Sequence, residues 1–297
     1  MLDWELNLKK QKKVKEDNFL LLPKKIKKSI DKENFKWYNN NVIEKERGIE
    51  NMIKTIDIKK EKYLLFVDTE TIGSLFMKES VMPFEIGVKV YDTENKKVVK
   101  EKSYIVRKFF NNKYIMFSTF SATKYPNYME RINSDKRFKN ASANDISRDI
   151  QKTIERYNIK VMVAHNGNFD KDACKRLFEE FGTENPFRKL DLLDTMEISK
   201  IITYSKDYAN YCLKNINVKN SINESAFITN SGRVRTTAQA IHSYLINEPN
   251  YEEEHTALED IDIEINIFEE SLSRLGNTIV RLNVAPTWRD YSKIITE

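Results

Sequence analysis

The chain has 297 residues, 40% hydrophobic and 11% aromatic, with 50 Lys+Arg against 45 Asp+Glu for a net charge of +5. That balance excludes a disordered acidic or basic chain, and the length allows one large domain with an appendage. The longest apolar runs, such as 19–22 and 63–67, fall far short of the ~18 residues that cross a bilayer, so no membrane partner is expected.

An acid, Asp3, stands where a signal peptide carries cations. The two cysteines, Cys174 and Cys212, lack the spacing of a zinc site or a disulfide framework. The expected compartment is a reducing cytoplasm, bacterial or, for a viral protein, that of the host.

The first segment, 1–62, holds 17 Lys+Arg against 11 Asp+Glu, with lysine runs at 9–13 and 24–28. It reads as a helical basic arm. From residue 63 the texture changes. The apolar run 63–67 predicts a buried strand, and 84–91 and 98–106 predict two more, a three-strand antiparallel meander.

Segment 107–139 carries 8 bases, 2 acids and 8 aromatics, among them Tyr114 and Tyr128. Two readings compete for it and for the arm. Lysines and arginines attract phosphates while rings stack on unpaired bases; alternatively the rings fill the core and the lysines solvate the surface. Composition alone leans to the second.

Ile146, Ile150 and Ile154 recur at a spacing of four and predict a helix over 145–157. Segment 161–164 predicts a short buried strand, 169–181 a helix ending at Gly182, and 190–193 a further strand. A meander followed by alternating helices and strands is a mixed α/β order. Segments 227–229 and 234–236 flank Asn230-Ser231-Gly232 as a hairpin would, and 238–246 predicts a helix whose His242 is structural. Over 258–272 the helical set Leu258, Ile261, Ile265, Phe268 and Leu272 outlasts a competing alternation of isoleucines, so a helix is expected. The domain reading is an arm over 1–62, a domain over 63–274 and an irregular tail over 275–297.

Asp68 and Glu70 end the first apolar strand, and a spacing of two sends both carboxylates to one face. Hard divalent cations take such oxygen ligands together with substrate phosphate. Asp170 and Asp260 each stand five residues after a histidine, His165 and His255.

These three segments together resemble the motifs of the DEDDh 3′-to-5′ exonucleases, a family that includes polymerase proofreading subunits, RNase T and oligoribonuclease. Residues 66–71 resemble the DxE motif, 164–170 resemble HNxxFD, and 255–260 resemble HxAxxD, in the family's order. The resemblance spans 60–272. Ile72 departs from it, because the first motif more often continues Thr-Thr-Gly, and the departure touches the terminal-nucleotide contact.

The resemblance implies an RNase H-like mixed sheet, the meander plus parallel strands, flanked by helices. It implies that Asp68, Glu70, Asp170 and Asp260 hold two divalent cations, Mg²⁺ or Mn²⁺, and that His255 is the general base. Thr71, His165, Asn166 and Phe169 are expected to meet or shape the site for the substrate. The implied activity is release of nucleoside 5′-monophosphates from single-stranded 3′ ends, DNA ahead of RNA. An exoribonuclease, an inactive nucleic-acid-binding module, and a subunit tethered by its arm to a polymerase or other replication partner are the alternatives. The chemistry is consistent: paired cations serve in-line phosphoryl displacement, clustered carboxylates repel one another without them, and imidazole can take a proton from water.

Some local expectations remain two-sided. Thr256 and Glu259 match a capping box, which places His255 before the cap and Asp260 four residues into the helix, where the two meet. His165 serves either as a second base or to orient its neighbours. Asp194 is a supporting acid or a helix cap, and Arg233 and Arg235 reach phosphate or are merely solvated.

Overall fold

In a computed structural model of the chain, the structure describes residues 53–56, 60–72, 81–117, 125–220, 224–253, 255–275 and 279–282. The lysine runs of the arm lie outside the described residues. The strands are β1 (Ile53–Ile56), β2 (Tyr63–Ile72), β3 (Met82–Asp92), β4 (Lys97–Val106), β5 (Phe138–Ala141), β6 (Val161–Ala164), β7 (Asp191–Asp194) and β8 (Ile279–Leu282). The helices are α1 (Arg107–Phe110), α2 (Lys113–Phe117), α3 (Tyr125–Ser134), α4 (Ala143–Tyr157), α5 (Asn168–Glu180), α6 (Thr195–Ile198), α7 (Lys200–Thr203), α8 (Lys206–Lys214), α9 (Ala238–Leu245) and α10 (Ala257–Arg274).

Six strands form one sheet in the order β5-β4-β3-β2-β6-β7. The meander β2-β3-β4 is antiparallel, while β6 runs parallel to β2, β7 parallel to β6 and β5 parallel to β4. The strand alternation expected from 63–67 and 84–91 sorts side chains onto two faces. Leu65, Val67, Ile86, Val88 and Val90 join Ile146, Ile150, Leu177 and Phe178 in one core, beneath α4 and α5. Leu64, Phe66 and Tyr91 join Ile261 and Phe268 in a second core, beneath α10.

Helix α10 is docked residue by residue on one face of β3. Glu85, Gly87, Lys89 and Tyr91, each two apart, meet Ala257, Ala257, Asp262 and Glu269 of that helix. Gly87 is required there, since a Cβ on it would stand 2.7 Å from the Ala257 Cβ and 2.8 Å from its carbonyl carbon. Helix α4 starts where the Ser142 side chain accepts from the Asp145 backbone N–H, and it stops at Asn158, whose φ of 49° is left-handed.

Two expectations, a helical arm and an irregular tail, are corrected in part. The last residues of the arm and part of the tail are ordered as strands: β1 pairs antiparallel with β8, Ile53 opposite Leu282. The hairpin over 227–236 forms in short: Ile228 bridges Val234 antiparallel, the Arg235 N–H donates to the Phe227 carbonyl at 2.8 Å and the Thr229 N–H to the Arg233 carbonyl at 2.7 Å. In segment 107–139 the favoured reading holds for the described rings: Phe109, Phe110, Tyr128 and Phe138 are buried, while Arg107, Lys108 and Lys113 are exposed. Tyr128 is fully buried and its hydroxyl donates to Glu85, so it offers no face to a base. The side chain of Tyr114 lies outside the described residues.

Candidate active site

The site lies where β2 outruns β6. Pairing between these parallel strands covers Leu65 with Met162 and Phe66 with Val163, and beyond it β2 continues, still paired with β3, through Asp68 and Glu70. Alternation turns both acids toward the face that α10 covers. There α10 supplies Asp260 from its first turn, and the loop before it supplies His255. One donor atom each of Glu70, His255 and Asp260 all lie within 4.8 Å of one another.

Asp170 approaches from α5, near enough for its charge to act on Asp68. Thr69, between the two acids and therefore turned the other way, donates its hydroxyl to Asp170 Oδ1 at 2.7 Å. The turn into α5 is tight at Gly167, where a Cβ would lie 2.7 Å from Leu192 Cδ1 and 3.0 Å from Ala164 Cβ. Asn166, just before it, has φ 57° and its backbone N–H donates to Asp194 Oδ1 at 2.8 Å.

Burial is the dominant electrostatic fact, and mutual repulsion adds to it. Burial, then the charges of Asp170, Glu264, Asp260 and Glu70, push the Asp68 carboxyl well above the carboxylate range. Burial likewise raises Asp170 to about 7, against the opposing bond from Thr69. The carboxylate oxygens suit a hard divalent cation, which would relieve the charge these acids impose on one another.

The helix start that carries His255 and Asp260 is built differently from the expected capping box. Thr256 is the N-cap residue, but its side chain accepts no capping bond. Glu259 pairs instead with Arg131 of α3, and the same guanidinium lies 3.4 Å from Thr256 Oγ1. The first-turn N–H of Ala257 is satisfied by Glu85 Oε2 at 3.2 Å. The convergence of His255 with Asp260 nevertheless holds, with His255 on left-handed backbone at φ 55° and its Nδ1 3.7 Å from Glu253 Oε2.

Of the substrate-facing candidates, His165 is corrected. Its Nε2 lies 2.9 Å from the Thr236 carbonyl and its Nδ1 3.0 Å from Thr195 Oγ1. A carbonyl only accepts, so Nε2 carries the proton, Nδ1 accepts from the threonine, and neither nitrogen is left for substrate. Burial lowers its pKa to about 4, which keeps the ring neutral. Asn166 is exposed, and Thr71 and Phe169 are half-buried; Thr71 follows a bulge in β2 between Glu70 and Thr71. Asp194 fills both roles considered for it, accepting from Met196 N–H as the α6 cap and from Asn166 N–H. Arg235 pairs with Glu224 at 2.6 Å, while Arg233 lines a cavity with Lys200 and Thr236. His242 packs edge-on against Tyr251.

Thr69, Glu85 and Glu264 were not anticipated. For Glu264 a signal existed: it stands four residues after Asp260, on the same helical face.

The sheet has a central antiparallel meander, β4-β3-β2, continued by parallel β6 and β7, with acids gathered from β2, α5 and α10. The chain has an RNase H-like fold. No protein-family model matches its sequence, and no curated protein matches it. Among solved structures it is similar to E. coli exonuclease I in complex with a dA16 oligonucleotide, at 13% identity and a TM-score of 0.45, over 73% of this chain and 42% of that one. It is also similar to the nuclease domain of 3′hExo, a DEDDh family member bound to rAMP, at 9% identity and a TM-score of 0.48, over 74% and 96% of the two chains. The chain thus spans about two fifths of the exonuclease I chain that it matches. Among the described residues of this RNase H-like protein, no helix is long and apolar enough to cross a membrane.

Proposed function

We propose that the protein is a metal-dependent 3′-to-5′ exonuclease that releases nucleoside 5′-monophosphates from single-stranded ends, DNA ahead of RNA. The observation that carries this reading is the meeting of Glu70, His255 and Asp260 within 4.8 Å, beside Asp68 and Asp170, whose carboxyls are raised first by burial and then by neighbouring acids. Asp68, Glu70, Asp170 and Asp260 would hold two cations, Mg²⁺ or Mn²⁺. When bound, the cations would offset the phosphate charge and make water more acidic.

The chain's own residues supply the rest. His255 takes a proton from the water that attacks phosphorus, the bond from phosphorus to the 3′ oxygen breaks, the 3′ oxygen takes a proton from solvent water, and the shortened strand leaves with a new 3′ hydroxyl. Loop backbone lets the imidazole adjust while the helix fixes Asp260. Thr69 holds Asp170 in place. Thr71, Asn166 and Phe169, at the rim, contact the terminal nucleotide, with the Phe169 ring available for stacking. The basic segment 1–62 forms an arm that adds phosphate contacts, and the catalytic domain covers 63–274.

The test is release of mononucleotides from matched, 5′-labelled DNA and RNA oligomers with Mg²⁺ or Mn²⁺. Stepwise shortening from the 3′ end, abolished by EDTA and by Asp68→Asn, is expected. Absence of shortening with either metal, from a folded protein, would overturn the reading.

A further inference from the structure

Glu264 lies outside the family-like motifs, yet it is the most enclosed acid of α10, with 2% of its surface exposed. It stands one turn beyond Asp260, so the two side chains lie in one column on the helix face that packs against β2. Its Oε1 accepts the backbone N–H of His165 at 2.9 Å, at the end of β6. Its Oε2 is buried and has no hydrogen-bond partner among the described residues. Asp170, Asp260 and Asp194 are the acids whose charges act on it, and its own charge acts on Asp68.

A buried carboxylate oxygen without a partner is costly, and placing it among four other acids adds repulsion to desolvation. Structural need does not account for it. One acceptor for the His165 N–H is enough at that position, and an amide would provide it without charge. A cation facing the same acids would satisfy the second oxygen.

We propose that Glu264 is a fifth carboxylate of the cation centre, its Oε2 contributing an oxygen ligand either directly or through a water of the ion's shell. The proposal rests on the metal-dependent reading of the site and extends it to a residue that the motifs omit. Its consequence is a centre with one more negative charge than Asp68, Glu70, Asp170 and Asp260 supply. Cation affinity is thereby raised at the expense of the metal-free protein.

The test is Mn²⁺ binding to the full chain, followed by calorimetry and by the loss of the free-ion EPR signal, for wild type, Glu264→Gln and Asp170→Asn. Glutamine keeps the volume and the acceptor for His165 and removes the charge. Glu264→Gln is expected to weaken Mn²⁺ binding about 10–100-fold, the usual cost of removing a supporting ligand, while its melting temperature in EDTA stays level or rises. An unchanged dissociation constant in Glu264→Gln, with Asp170→Asn weakened, overturns this proposal and leaves the exonuclease reading intact. A wild-type chain that binds no Mn²⁺ overturns both. Should Glu264→Gln not fold, ¹³C carboxyl spectra of the wild-type chain decide: the Glu264 Cδ resonance is expected to move on saturation with Mg²⁺, and a stationary resonance overturns the assignment.

Discussion

Glu85 Oε2 accepts the backbone N–H of Ala257 at 3.2 Å, across 172 residues of sequence, and so a strand carboxylate caps the helix that carries Asp260. The same carboxyl group accepts from Ser103 Oγ at 2.6 Å and from the Tyr128 hydroxyl. Sheet, α3 and the start of α10 therefore share one buried acceptor.

Replacing that acceptor should loosen the site from behind. Glu85→Leu leaves a serine hydroxyl, a tyrosine hydroxyl and a backbone N–H buried without a partner, at about 1–3 kcal/mol each. A loss of roughly 3 kcal/mol or more is expected in urea unfolding, together with reduced turnover as His255 and Asp260 lose their common anchor. Glu85→Gln, which can still accept, should lose less. Stability equal to wild type in Glu85→Leu would show that the helix start is held by other contacts.

Tyr128 distinguishes a core ring from a stacking platform. Because the ring is fully buried, Tyr128→Ala should cost roughly 3–5 kcal/mol, in the range of large aromatic truncations. Tyr128→Phe keeps the ring and loses only the bond to Glu85, at about 1 kcal/mol, with oligonucleotide affinity unchanged. Weakened oligonucleotide binding in Tyr128→Ala at an unaltered melting temperature would refute the burial.

The metal-free protein should become less stable as pH rises. Asp170 and Glu85 are each pushed up to about 7, and Asp194 to about 6, chiefly by burial. Unfolded carboxyls titrate near ~4, so the folded state binds these protons more tightly. The stability they contribute is complete below about pH 4 and is lost as pH climbs toward about 7. His165, lowered to about 4, acts in the opposite sense: its contribution is lost as pH falls from ~6.5 toward 4. Three raised carboxyls, joined by Asp68 and Glu264, outweigh one lowered imidazole. Melting temperatures in EDTA should fall across this window, and saturating Mg²⁺ should flatten the decline by favouring the ionised acids. A melting temperature that climbed with pH in EDTA would contradict the assignment of buried, mutually repelling carboxyls.

For the chemistry, His255→Ala should lower turnover by ~10²–10⁴, the usual span for removing a general base, with cation binding largely preserved. Single-turnover digestion of a labelled oligonucleotide measures it. An unaltered rate would remove His255 from the reaction, and His165 could not replace it, since both its ring nitrogens are engaged.

Periodicity and short motifs alone determined much of this protein. The meander, helices α4, α5 and α10, and the three acid-bearing segments all follow from side chains within a few residues of one another. The strand spacing of Asp68 and Glu70, and the meeting of His255 with Asp260 across a helix start, were legible for the same reason. Tertiary structure decided what local spacing does not encode. Thr69 faces away from the acids it separates and secures Asp170, 101 residues on. Thr256 and Glu259 have the local pattern of a capping box, but Arg131 from α3 is a stronger partner for Glu259, and Glu85 is the acceptor the helix finds. The rings of 107–139 could have faced solvent or core, and only the packing of α3 against the sheet buried Tyr128. Glu264 is an ordinary charged residue of an amphipathic helix until the sheet closes over it and leaves one of its oxygens buried without a hydrogen-bond partner among the described residues.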